Sequence, residues 1–269
     1  MEDTSMDLAA TQVKPSRGDA YAWRLLATGL SFLLFGLGGL TLRLLILPLL
    51  GLWPGDRLAQ RRRARAAISR AFYLHVQFML RSGVLTYQVQ GAERLGRPGQ
   101  MIVANHPSLI DVVFLIAHIR DANCIVKQTM WRNPCTRGPV TTAEYISNNG
   151  SPDMLEQAAN VLREDQTLIV FPEGTRTSPG QAPLFHRGAA AIAVRGARVV
   201  TPVFISVQPT TLTKAEPWYR IPDRRIHVLL RVGDDIAVEP FQTDAAMPIA
   251  SRRLNEHLHR LYLKELTSS

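Results

Sequence analysis

From Leu25 to Leu42 the chain carries no charge, and after Arg43 it resumes as Leu44-Leu45-Ile46-Leu47-Pro48-Leu49-Leu50-Gly51-Leu52-Trp53. A hydrocarbon core takes about twenty residues of helix, so the length suits a crossing. Gly36, Gly38 and Gly39 loosen the middle, while Arg43 and Pro48 interrupt the second half. A helix lying partly in one leaflet therefore fits as well as one that spans. Trp53-Pro54-Gly55-Asp56 reads as a turn, with Asp56 as N-cap of a second helix over 57–80 in which Leu58, Ile68, Phe72, Val76 and Met79 recur at helical steps.

Beyond Gly83 the period alternates. Short apolar runs predict strands at 84–90, 101–104, 124–127, 167–171, 199–207 and 226–232. Helical patterns are predicted between them at 109–119, 153–164 and 187–195, with a terminal helix at 247–266. Helices between strands predict an α/β layered sandwich, a mixed sheet flanked by helices, preceded by an N-terminal membrane-associated helical hairpin. The expected organisation is a disordered tail over 1–19, a two-helix membrane segment over 20–82 and a catalytic domain over 83–269.

Charge sharpens the membrane reading. The balance of 31 Lys+Arg against 22 Asp+Glu gives +9, and the excess is local. Arg57, Arg61, Arg62, Arg63, Arg65 and Arg70 follow directly on the apolar run. That placement suits an anionic lipid surface, with Arg57, Arg61, Arg62, Arg63 and Arg65 as the expected headgroup contacts. A solvated basic face is the plainer alternative. No zinc-finger spacing or aromatic RNA-binding signature accompanies these arginines, which argues against nucleic acid. Arginines on the C-terminal flank put the remainder on the cytoplasmic side of the inner membrane. Acidic residues ahead of the apolar run (Glu2, Asp3, Asp7, Asp19) and its length argue against a cleaved leader. Cys124 and Cys135 make no disulfide framework and read as reduced thiols.

Two stretches carry candidate chemistry, each directly after a predicted strand: Asn105-His106-Pro107-Ser108-Leu109-Ile110-Asp111 and Phe171-Pro172-Glu173-Gly174-Thr175-Arg176. Loops at strand ends are where α/β folds keep their sites. Asp111 is within reach of His106 across one helical turn. A carboxylate on one imidazole nitrogen leaves the other basic and stabilises imidazolium as it forms. No G-x-S-x-G elbow supplies an enzyme nucleophile, so the hydroxyl to be activated belongs to a substrate. A zinc site would need further ligands, and His118 and Glu144 have no motif spacing. Arg176 in a glycine-loosened loop suits a phosphate, or else an ion pair with Glu173. Arg187 opens a helix, where backbone N–H groups also favour anions.

These two stretches, with Val200-Thr201-Pro202-Val203 further on, resemble signature blocks of the glycerophospholipid acyltransferase family, typified by bacterial 1-acylglycerol-3-phosphate acyltransferase. The resemblance implies acyl transfer from an acyl-CoA or acyl-carrier-protein thioester to a lysophospholipid hydroxyl, with no cofactor, no metal and no covalent enzyme intermediate. It implies His106 as general base and Asp111 as its orienting partner. The expected substrate-binding set is Asn105, Ser108, Lys127, Glu173, Gly174, Thr175, Arg176 and Arg187. An oxyanion donor is expected from a backbone N–H near Ser108. One block departs: the region matching the family's second, Gly138 to Gly150, lacks that block's arginine. Lys127 or Arg137 substitutes for it, or the acceptor is a specialised lipid or the acyl chain an unusual one. A non-catalytic lipid-binding adaptor and a thioester hydrolase are the rival readings.

Overall fold

The computed structural model describes residues 20–178, 180–214 and 216–267. The expected tail over 1–19 lies outside the described residues. In chain order the elements are α1 (Tyr21–Thr41), continued through a π-helical turn Leu42–Ile46 into α2 (Leu47–Gly51), then α3 (Arg57–Arg81), β1 (Leu85–Gln90), β2 (Gln100–Ala104), α4 (Asp111–His118) and β3 (Ala122–Lys127). There follow α5 (Pro134–Thr142), β4 (Ile146–Asn148), α6 (Pro152–Arg163), β5 (Thr167–Val170), α7 (Arg187–Gly196), β6 (Val199–Gln208), β7 (Ile226–Val232), β8 (Ile236–Ala237), α8 (Glu239–Gln242) and α9 (Met247–Thr267).

The eight strands form one sheet in the order β1-β7-β6-β2-β5-β3-β4, with β8 on β6. Pairing is parallel except where β6 meets β7 and β8, so the sheet is mixed, as the alternating periods predict. Parallel strands are covered on both faces, and the core divides accordingly. Residues of α1, α3 and α4 pack on one face, and α6, α7 and α9 on the other. Every residue of β2 is buried. The chain leaves β2 toward α4 on one face and leaves the adjacent β5 toward α7 on the opposite face. Between neighbouring strands whose connections diverge in this way, a crevice opens beyond their carboxyl ends.

At that crevice β2 and β6 are bridged by a side chain from the other layer. The Tyr262 hydroxyl, fully buried on α9, donates to Val103 O at 2.6 Å and accepts from Val203 N at 3.1 Å.

The N-terminal helices share the core. Asp56 caps α3 as expected, its carboxylate accepting from Ala59 N at 2.8 Å. From Tyr21 to Gly51 the helix is long and apolar enough to cross a membrane, but two faces differ. Leu26, Leu30, Leu33, Leu37, Leu44 and Leu45 are exposed, while Arg24, Ala27, Thr28 and Ser31 are buried against the protein. Gly39 is a packing notch: a Cβ there would stand 2.3 Å from Cys135 O on α5. Arg43, which breaks the apolar run in sequence, donates to Pro134 O at 3.0 Å, and its side chain covers Gly138.

The structure adds α5, β4, β8 and α8 to the predicted elements and redistributes the arginine run. Arg57 and Arg61 both pair with Glu144, at 2.6 and 3.2 Å. Arg62 pairs with Asp121 at 3.4 Å, and Arg63 donates to Trp53 O and Pro54 O. Arg65 corrects the expectation of a headgroup contact. It is 1% exposed and bonds Ala143 O, Gln166 and Asp121, because three acceptors converge where α3 crosses the sheet edge. Arg57 and Arg62, with side chains 85% and 62% exposed, are the ones free to meet a charged surface.

His75 on α3 sits between Ser31 Oγ, at 3.3 Å, and the Phe35 ring. Burial lowers its pKa to about 4 from the ordinary 6.5. A depressed histidine stays neutral in the folded chain while the unfolded chain takes up a proton, so stability is lost as pH falls below about 6.5 toward 4. We expect about 2 kcal/mol to be lost from this group between pH 7 and pH 5. Urea unfolding of the detergent-solubilised protein at both pH values, beside His75→Gln, checks it: the variant loses less on acidification.

Candidate active site

The loop after β2 is held by side chains that stand in for missing backbone partners. Asn105, 4% exposed, donates to Ile205 O and accepts from Ile205 N, both at 2.8 Å, and so extends the β2–β6 ladder by one rung. Leaving those two buried groups unpaired would cost about 1–3 kcal/mol each. Asn105 is thus spent on the fold, which corrects its expected contact with substrate. His106 comes next, its backbone gripped from both sides. Its N–H donates to Glu173 Oε1 at 2.9 Å, and its carbonyl accepts from Thr177 N at 2.8 Å. Glu173 Oε2 accepts from the Thr177 hydroxyl at 2.6 Å, closing the loop after β5 around the histidine.

The imidazole is fixed as firmly. His106 Nδ1 lies 2.8 Å from Asp111 Oδ2, and the ring stacks on Phe171 with centroids 4.3 Å apart. With Nδ1–H donating to the carboxylate, the lone pair falls on Nε2. His106 lines a cleft of about 580 Å³ at the crevice beyond β2 and β5, and Nε2 is the nitrogen left for chemistry.

Asp111 is fully buried in the first turn of α4, and Oδ2 also accepts from Ser108 N at 2.7 Å. Oδ1 is buried with no partner among the described residues. Burial raises the Asp111 pKa despite the opposing pull of His106 and of Ser108 N–H. Burial raises that of Glu173 as well.

Two further expectations are corrected here. The Ser108 N–H is committed to Asp111, so it is not a free oxyanion donor. The Ser108 side chain is fully buried and donates to Thr211 O at 3.1 Å, away from any substrate. Arg176 makes no ion pair with Glu173. Its Nη1 donates to Leu212 O and Thr213 O at 2.6 and 2.8 Å, and the residue lines the cleft. Gly174, whose left-handed φ of 64° turns the loop, lines the cleft with Thr175, Arg176 and Lys127. Arg187 is exposed at the start of α7 and stands outside that lining, although its neighbours His186 and Gly188 belong to it. In the region matching the second block, Asn148 at the end of β4 reaches the cleft, while Arg137 is exposed on α5 away from it. Glu144 is held by Arg57 and Arg61, and His118 by Phe114 O, so neither approaches His106 as a metal ligand. The residues that sequence reading missed are Thr177 and the 211–213 segment, which hold the site by backbone contacts that no motif announces.

Against the cleft lies a second, apolar cavity of about 350 Å³ between α1, α3 and α4. The two share Leu109, Val112, Val126 and Met130 as a common wall. The arrangement therefore sets a basic nitrogen and two cations beside a hydrocarbon-lined space.

Residues 86–206 match the family model described as Acyltransferase. Among curated proteins the chain is 26% identical over 172 residues to the 1-acyl-sn-glycerol-3-phosphate acyltransferase of Helicobacter pylori, covering 61% of this chain and 69% of that one. It is 26% identical over 125 residues to the Pseudomonas aeruginosa enzyme of the same name, covering 44% and 49%. The Saccharomyces cerevisiae enzyme of that name is 26% identical over 186 residues, covering 65% and 59%. The matches thus span from about half to about two thirds of those relatives' lengths. Among solved structures, the 1-acyl-sn-glycerophosphate acyltransferase PlsC from Thermotoga maritima shares the fold, with a TM-score of 0.67 at 20% identity over 91% of this chain and 98% of that one.

A raised carboxylate pKa contributes stability that is present below the unfolded value and lost as pH rises through the folded one. Asp111→Asn keeps the shape and removes the buried charge. Its melting temperature relative to the parent should rise with pH above the ordinary carboxylate value of 3.8, because only the parent pays the growing cost of ionising there. Thermal unfolding across that range checks the sign.

Proposed function

We propose that this chain, whose residues 86–206 carry the acyltransferase family pattern, is a lysophospholipid O-acyltransferase, with 1-acylglycerol-3-phosphate as acceptor and phosphatidic acid as product. The observation that carries the reading is the His106–Asp111 pair at the mouth of a cleft that has cations on one wall and a hydrocarbon-lined cavity behind another.

In this reading His106 Nε2 takes the proton of the acceptor hydroxyl as its oxygen attacks the thioester carbonyl of acyl-CoA or acyl-carrier protein. Asp111 stabilises the imidazolium so formed. When the tetrahedral intermediate collapses, the carbon–sulfur bond breaks and the imidazolium returns the proton to the departing thiolate. The acyl group never rests on the enzyme, and the thioester is a substrate, so no cofactor takes part. Lys127 and Arg176 hold the acceptor's anionic head. Glu173, with its carboxylate turned to the His106 backbone, shapes the site without touching lipid.

The leucine face of α1 seats in the inner membrane, Arg57 and Arg62 lie on its cytoplasmic headgroups, and the 83–269 portion works on the cytoplasmic side. A specialised acceptor is the second reading. It is favoured by the absence of an arginine in the second-block region and by the commitment of Arg176 Nη1 to carbonyls.

Purified protein and His106→Ala, each offered acyl-CoA and acyl-carrier protein against 1-acylglycerol-3-phosphate, test the proposal by lipid mass spectrometry. Wild type forms phosphatidic acid, and loss of the base lowers the rate about a hundred- to ten-thousandfold. Near-wild-type turnover by folded His106→Ala would sink the mechanism. Free fatty acid in place of ester would make the protein a hydrolase, no turnover of any thioester an adaptor, and ester on another lysolipid alone would move the acceptor.

A further inference from the structure

The connection between β6 and β7, over 209–225, touches both the histidine loop and the apolar helix. At its first end Thr211 O accepts from the Ser108 hydroxyl at 3.1 Å. Leu212 O accepts from Leu109 N at 3.2 Å and from Arg176 at 2.6 Å. Thr211 and Leu212 are buried, and Leu212 is held at a φ of 53°, a left-handed conformation that a leucine keeps only where its surroundings impose it. At the other end Arg24 of α1, buried among apolar residues, donates to Pro222 O at 2.9 Å, Asp223 O at 2.6 Å and Arg224 O at 3.2 Å. Trp218 meets the Phe32 ring of α1 at a tilt of 45° with centroids 5.8 Å apart and covers Gly29, where an added Cβ would come within 3.3 Å of the indole.

Glu216 Oε2 accepts from both the N–H and the hydroxyl of Thr213 at 3.1 Å, and Arg220 N donates to Pro217 O in the next turn. A guanidinium desolvated on a helix of this composition is costly unless its hydrogen bonds are made elsewhere. For Arg24, three of them are made to this one segment.

We propose that the 209–225 connection is a tie through which α1 positions the His106 loop, with Arg24 and Trp218 as positioning residues for acyl transfer. The inference takes the acyl-transfer reading as its premise. Ser108 and Leu109 stand between His106 and Asp111, so whatever anchors them sets the angle at which the imidazole meets its carboxylate. The tie makes that angle conditional on the seat of α1. Neither Arg24 nor Trp218 lines the cleft, but Trp218 borders the apolar cavity beside it; Arg24 lies outside both, so its effect falls on turnover and leaves substrate affinity alone.

The test uses the full chain in detergent and compares wild type with Trp218→Leu, Arg24→Gln and Arg24→Lys. Two measurements are made: deuterium exchange of peptides covering 105–112, and kcat and KM for both substrates. Trp218→Leu and Arg24→Gln should speed exchange over 105–112 while leaving β2, β5 and α9 protected. Both should lower kcat about ten- to a hundredfold, and Arg24→Gln, outside both cavities, should leave KM for both substrates unchanged within about twofold, as misplacement of a reacting group does. Arg24→Lys, which reaches fewer of the carbonyls, should fall between. Unchanged exchange over 105–112 together with unchanged kcat would overturn the tie. So would a change confined to KM, which would make these residues part of a binding site. If Arg24→Gln does not fold, Trp218→Leu carries the test, because that side chain is 44% exposed and contributes little core. If wild type transfers no acyl group, the acyl-transfer reading fails while the exchange data still decide the tie.

Discussion

A carboxylate sealed from water governs this structure. Asp111 spends one oxygen on an imidazole and a backbone N–H and leaves the other with no partner among the described residues. Ionisation in such a place is penalised, and nothing in the packing of α4 requires an acid there. In the proposed reaction that cost is offset in function, where the same buried charge would orient the ring and receive its imidazolium. Much of the neighbourhood serves to keep that pair in register. Glu173 and Thr177 fix the histidine backbone, Phe171 fixes its ring, and the 211–213 segment fixes the two residues between base and acid.

Where the sequence was legible, the reason is periodicity. Strands such as 226–232 and helices such as 247–267 announce themselves by steps of two and of three to four, and they fall where those steps place them. The α5 helix does not, because Pro134, Gly138 and Pro139 spell a loop. Its helical form is supported by close packing on Gly39 and Arg43 of a distant element. Pairing of His106 with Asp111 was readable because the two lie within one turn of chain. Asn105 and Ser108 were assigned to substrate because they share that stretch, yet their partners, Ile205 and Thr211, lie 100 and 103 residues on. No local pattern reports such a contact.

The arginine run shows how little a count of charges says about where the charges go. Five residues expected on one lipid-facing surface have several different fates. Arg57 and Arg62 remain largely exposed, Arg61 is drawn to Glu144, Arg63 folds back on the preceding turn, and Arg65 enters the interior to satisfy Ala143, Gln166 and Asp121. The periodicity of α3 contains this distinction, since Arg65, Ile68, Val76 and Met79 share its buried side. Charge alone conceals it. A long guanidinium with five donors can be a core residue wherever carbonyls and carboxylates converge.

The phenol of Tyr262 holds β2 and β6 at the point from which the histidine loop departs. It lies 59 residues after Val203 and 159 after Val103. Domains assemble as they emerge from the ribosome, so β2 and β6 are both made well before the hydroxyl that joins them at this edge. That corner of the sheet is thus closed only once α9 has been made. A chain translated only as far as β6, its apolar helix already made, does not yet hold the strand ends that carry His106 in their final register.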